Sequence, residues 1–85
     1  MPTLSMFYGV IIRMYTDEHV PPHIHAMYSG EKAVFNFDGD IVKGTFPKKQ
    51  TRLVQAWIEL HREELQANWD LAMNGEPLFK IKPLD

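Results

Sequence analysis

Three of the chain's four histidines, His19, His23 and His25, fall within seven consecutive positions around the Pro21-Pro22 pair. Imidazole changes protonation in the physiological range and is a common metal ligand, so three in one short segment can hold an ion or move protons. The two prolines fix φ and remove two backbone donors. Residues 20–22 are therefore expected to form a stiff, extended lead-in that holds His19 and His23 at a defined separation. After Pro22 the run His23-Ile24-His25-Ala26-Met27-Tyr28 alternates as a strand does. That puts the rings of His23 and His25 on one face, roughly 6.5–7 Å apart at the Cα level.

Two chemistries suit such a cluster. His19, His23 and His25 can supply three ligands to a divalent ion such as zinc or manganese and leave a position open for water. Without a metal, one neutral and one protonated imidazole can move the protons of a phosphodiester cleavage. In that case Arg13 and Tyr15, on a neighbouring strand, would supply positive charge and a proton donor beside His23 and His25. The plain alternative is that the histidines hydrogen-bond the Pro-Pro loop and pack at an interface. No carboxylate is an obvious second partner, although Asp17, Glu18 or Glu31 could orient a ring.

Composition narrows the setting. Eighty-five residues make one domain with a single modest core. A net charge of −2 and a pI near 6.0 carry no general polyanion signature, so an RNA partner needs a local basic patch. The absence of cysteine excludes disulfides and thiolate ligands. The first residues lack the basic start and long apolar run of a signal peptide, and no stretch approaches a membrane span. A soluble, cytoplasmic protein with no membrane partner is expected.

The elements that must position the cluster follow from periodicity. Residues 7–15, rich in aromatic and β-branched types, read as one strand, followed by strands at about 23–28, 31–37 and 41–46. Ser29-Gly30 is a two-residue hairpin turn and Asp38-Gly39-Asp40 turns the chain again. From Pro47, suited to a first helical position, the period becomes 3.6. One long helix is expected over about 48–73, stopped by Asn74-Gly75. Such a helix would run about 39 Å and overhang a small sheet, so a break near His61 is the foreseeable departure. Residues 78–82 alternate again and can add a short strand or lie along the core. The expectation is an α+β domain: a three- to four-stranded antiparallel meander with one long helix packed on one face.

Alternation assigns the faces. Tyr8, Val10, Ile12 and Met14, then Ile24, Ala26 and Tyr28, then Ala33, Phe35 and Phe37 form the face for the helix to cover. Arg13, Tyr15, His23, His25, Lys32 and Asn36 fall on the opposite, open face. Phe7, Ile11, Met27 and Val34 share that face, and so much apolar surface suggests a protein interface, with a cognate protein or a second copy of the chain. His61 lies on the helix stripe between Trp57 and Leu65 and is expected to be a satisfied core residue. With Glu64 it could otherwise form half a helical metal site. Lys48, Lys49 and Arg52 crowd a helix start, where the macrodipole disfavours cations. They are a candidate phosphate or nucleic-acid patch if they are not simply a solvated helix end.

The opening Met1-Pro2 with Leu4 and Phe7-Tyr8-Gly9-Val10-Ile11-Ile12, the His19-to-His25 run and Phe46-Pro47 form a recognisable pattern. So do the helix residues Leu53, Val54, Trp57, His61, Glu64, Leu65, Asn68 and Trp69, and the closing Asn74-Gly75-Glu76-Pro77 with Ile81, Pro83 and Leu84. Together they resemble the small bacterial proteins called domain of unknown function 4160. Ile24 stands where an aromatic is common in such proteins. The resemblance implies a bacterial protein encoded beside a second small protein, in an arrangement similar to toxin–antitoxin pairs. Joined to the histidine geometry, it leads to the expectation of one component of such a module, acting on RNA or another phosphodiester through the cluster. The alternative is a non-catalytic binding or dimerisation module with structural histidines.

Overall fold

The computed structural model describes residues 3–15 and 21–85. Five strands form one antiparallel sheet in chain order: β1 (Thr3–Phe7), β2 (Val10–Arg13), β3 (His23–Tyr28), β4 (Glu31–Asn36) and β5 (Ile41–Gly44). Two helices follow, α1 (Lys48–Leu60) and α2 (Arg62–Met73). The α+β class and the meander match expectation; the strand count and the single long helix do not. No helix among the described residues is long and apolar enough to cross a membrane.

The extra strand comes from splitting the expected first one. Tyr8 (φ 48°) and Gly9 (φ 80°) both take left-handed conformations, which two-residue hairpins of this type require. Phe7 then pairs with Val10, and Met6 with Ile11. The turn exposes Tyr8 at 59%, removing it from the covered face, and puts Phe7 into the core against Trp57 with ring centroids 5.5 Å apart. Phe7 therefore does not belong to the open-face interface expected of it. Ser29 (φ 47°) and Gly30 form the expected second hairpin, with Tyr28 opposite Glu31.

The turn after β4 is built by Asn36. Its Oδ1 accepts from the backbone N–H groups of Asp38 and Asp40, both at 2.9 Å, which ends β4 one residue before the expected Phe37. β5 stops at Gly44, two residues short of expectation. A Cβ on Gly44 would lie 2.4 Å from the Lys32 carbonyl, so the close pairing of β4 and β5 needs glycine there.

The helices cover the face formed by Val10, Ile12, Met14, Ile24, Ala26, Ala33 and Phe35, which pack with Val54, Trp57, Ile58, Leu65, Trp69 and Ala72 in one core. Pro47 is the N-cap of α1 rather than its first residue, with extended ψ and its carbonyl accepting from Thr51 N–H. The helix breaks at His61 (φ −120°, ψ 24°), so α2 does not overhang the sheet. At the far end Gly75 N–H donates to Ala72 and Glu76 N–H to Leu71, the glycine-capped stop expected at Asn74-Gly75.

Residues 78–82 form no strand. They lie along the core as a strap: Ile81 N–H donates to the Leu4 carbonyl, and Trp57 Nε1 donates to the Lys82 carbonyl at 2.9 Å. Asn68, fully buried, holds Phe79 by both backbone groups, its Nδ2 donating to the carbonyl and its Oδ1 accepting from the N–H.

Candidate active site

Strand register sets the open face. Arg13, His25, Val34 and Lys43 are successive cross-strand partners on β2, β3, β4 and β5, and His23 pairs with Asn36. Directly opposed residues of antiparallel strands have Cβ atoms about 4.5–5.5 Å apart, so Arg13 stands beside His25, and Lys43 follows beyond Val34 in the same row. The expected same-face placing of His23 and His25 holds, with ring centroids 5.3 Å apart and planes at 65°.

Aromatic neighbours hold both rings. Tyr15 stands edge-on to His25 at 4.5 Å, and Trp69 of α2 lies 5.2 Å from His23. Phe37 in turn packs against Trp69. This file of rings crosses from the open face to the helical layer at the end of the sheet where β3 begins. His23 Nδ1 lies 2.8 Å from the Pro21 carbonyl. An N–H is required for that contact, so in the neutral ring Nε2 carries the lone pair. The stiff Pro-Pro lead-in thus selects the tautomer of the first histidine after it.

The two histidines open into a cleft of about 930 Å³, within the ~300–1,000 Å³ range of small-molecule sites. Its walls are Pro21, Pro22, Val34, Phe37 and Val42, and its polar groups include Lys43 of β5 with Arg62, Glu63 and Gln66 from the first turns of α2. Arg62 also pairs with Asp38, tying the start of α2 to the β4–β5 turn across the cleft. The break at His61 starts α2 at this wall, where Arg62 meets Asp38 of the β4–β5 turn.

Several other sequence candidates lie elsewhere. Arg13 flanks His25 without lining the cleft, and its Nε is buried with no hydrogen-bond partner among the described residues. Lys48, Lys49 and Arg52 are exposed on α1 and do not contribute to the cleft. Ile11 and Met27 are half-buried on the open face beside a separate shallow depression at the Tyr28–Lys32 hairpin. Glu31 stands at the opposite end of β3 from His23 and does not orient it. His19, Asp17 and Glu18 lie outside the described residues. Among the described residues no group of three or more His, Cys, Asp or Glu is arranged to hold a metal ion.

His61 faces away from this cleft. Its Nδ1 is 2.6 Å from Glu64 Oε1 and its ring lies 5.6 Å from Trp57, as a satisfied histidine at a helix joint. Sequence reasoning missed Asp38, Lys43, Arg62, Glu63 and Gln66. Strand alternation from Val34 through a hairpin could have placed Lys43. Nothing before the fold signals that the first turn of α2 closes the cleft.

No curated protein and no solved structure matches the chain. The family described as domain of unknown function (DUF4160) matches residues 9–70, a span that includes both cleft histidines, the helix joint and Trp69, and the chain belongs to that family.

Proposed function

We propose that the protein cleaves the RNA backbone in the His23/His25 cleft by acid–base transesterification. The observation that carries this reading is the imidazole pair, centroids 5.3 Å apart, opening into a cleft that also presents Lys43 and Arg62. One neutral imidazole takes the proton of a ribose 2′-hydroxyl, and the 2′-oxygen forms a bond to phosphorus. The bond from phosphorus to the 5′-oxygen breaks, and the second imidazole, as imidazolium, protonates the departing oxygen. The products are a 2′,3′-cyclic phosphate and a 5′-hydroxyl, with the two rings having exchanged protonation states. His23, with Nε2 as its acceptor, fits the base. Tyr15 and Arg13 hold His25, and Lys43 with Arg62 balances charge on the phosphoryl oxygens. Lys48, Lys49 and Arg52 extend the path for the RNA backbone on α1.

In a toxin–antitoxin-like two-gene module such an activity needs a covering partner. The open-face row of Met6, Ile11 and Met27, with Met6 62% exposed, is the surface that a cognate small protein or a second copy would cover. Ile11→Glu is expected to prevent that association without unfolding the monomer, as read by light scattering and thermal melting. An unaffected complex would remove the interface from the account.

The test of the reading is a short labelled oligoribonucleotide incubated with the protein, with the product ends identified. The expected ends are cyclic phosphate and 5′-hydroxyl, and a 2′-O-methyl group at the scissile nucleotide should block the reaction. Intact RNA would refute the proposal. Metal analysis of chelator-free protein completes the test. Near-stoichiometric zinc or manganese that is lost in His23→Ala, and likewise in His19→Ala and His25→Ala, would make the three histidines its ligands and replace the acid–base reading with metal-assisted hydrolysis.

A further inference from the structure

The lining of the cleft divides by chemistry in a way that phosphate alone does not use. Lys43 and Arg62 are matched in number by Asp38 and Glu63, and Arg62 already pairs with Asp38. Bare charge therefore does not make this a strong polyanion site. The same cleft is also lined by apolar groups. Pro21 and Pro22 precede His23 in the chain, Val34 lies between His25 and Lys43 in the cross-strand row, and Val42 stands next to Lys43 on β5. Val42 is 58% exposed, at the irregularity in the β4–β5 register.

A duplex offers its phosphates and 2′-hydroxyls at the surface, while its base faces are taken up by stacking. It would engage Lys43, Arg62 and the imidazoles and leave Pro22, Val34 and Val42 in water. An unstacked nucleotide uses both kinds of lining. Its phosphate meets the cations and the imidazoles, and its base lies on the prolines and valines. Contact through the flat face of a base is insensitive to which base it is.

We infer that the cleft holds one unstacked nucleotide of a single-stranded RNA and discriminates against duplex. This rests on the reading of the cleft as a phosphodiester site and adds to it the strandedness of the substrate.

The experiment is equilibrium binding to the full chain. Calorimetry compares adenosine 5′-monophosphate with ribose 5-phosphate, and fluorescence anisotropy compares a 2′-O-methyl oligoribonucleotide with the same strand annealed to its complement. The mononucleotide is expected to bind about tenfold tighter than the sugar phosphate, and the single strand about tenfold tighter than the duplex. Val42→Ser, an exposed substitution, should weaken the mononucleotide about threefold through lost apolar contact and leave ribose 5-phosphate unchanged. Equal binding of the two small ligands, or of the two oligonucleotide forms, overturns the inference and leaves the phosphodiester reading standing. Failure of both small ligands to bind at millimolar concentration overturns the two together.

Discussion

His61 and the His23/His25 pair place the same side chain in two settings, and the contrast separates support from chemistry. His61 sits at the α1–α2 joint with Nδ1 on Glu64 and its ring near Trp57, its side chain only 14% exposed. Its neighbours on the helical side are satisfied in the same one-to-one manner: Asn68 by both backbone groups of Phe79, and Trp57 by the Lys82 carbonyl. The cleft pair is half-buried, and its first ring is fixed in one tautomer by a backbone carbonyl. Around it stand cations, carboxylates and an apolar wall that the fold does not fill. A ring closed off at a helix joint supports the fold; rings that line an open cleft stand where a substrate would bind.

The largest effect that would sharpen this contrast is on rate. His23→Ala and His25→Ala are each expected to lower RNA cleavage roughly 10²- to 10⁴-fold. Thermal denaturation should show a loss of no more than about 1–2 kcal/mol, the cost of the ring packing and, for His23, of its hydrogen bond to Pro21. A stability loss above about 2 kcal/mol, with no parent activity to lose, would make these histidines structural like His61.

On the helical side the order reverses. Asn68→Leu keeps the volume but strands the Phe79 N–H and carbonyl, and is expected to destabilise the fold by about 2–4 kcal/mol in chemical denaturation. A neutral result would mean that the strap reaches water and does not hold the helices. His61→Ala removes one hydrogen bond and the packing of the ring on Trp57, and should destabilise by about 1–2 kcal/mol. Cleavage should stay within about threefold of the parent, since His61 stands outside the cleft and acts only through the placing of α2. A fall as large as that of His23→Ala would erase the distinction between the two sites.

The smallest effect concerns the basic start of α1. Replacing Lys48, Lys49 and Arg52 with Gln should reduce single-strand RNA affinity modestly and flatten its salt dependence, by about 0.7 in slope for each phosphate that is no longer neutralised. An unchanged slope would leave these residues as a solvated helix end.

What could be read from the chain before the fold follows the same division. Period-two alternation located β3 to the residue and put His23 and His25 on one face, because strand geometry is local and the prolines enforce it. The split of the first strand was hidden because the turn rests on a left-handed Tyr8, a conformation that its side chain does not advertise. Unbroken alternation puts Phe7 on the open face for the same reason, since a two-residue hairpin resets the pattern. The break at His61 announced itself only through length, as a helix too long for its sheet. The cleft wall formed by Arg62, Glu63 and Gln66 then depends on where that break directs α2, which is a property of packing.

The most direct test of the central claim follows the ring signals of all four histidines by NMR while a non-cleavable 2′-O-methyl oligoribonucleotide is added. The account predicts that the His23 and His25 signals shift with a common saturation curve, while those of His61, locked to Glu64, stay in place. Shifts confined to His61 or to the α1 start, with His23 and His25 unmoved, would contradict it.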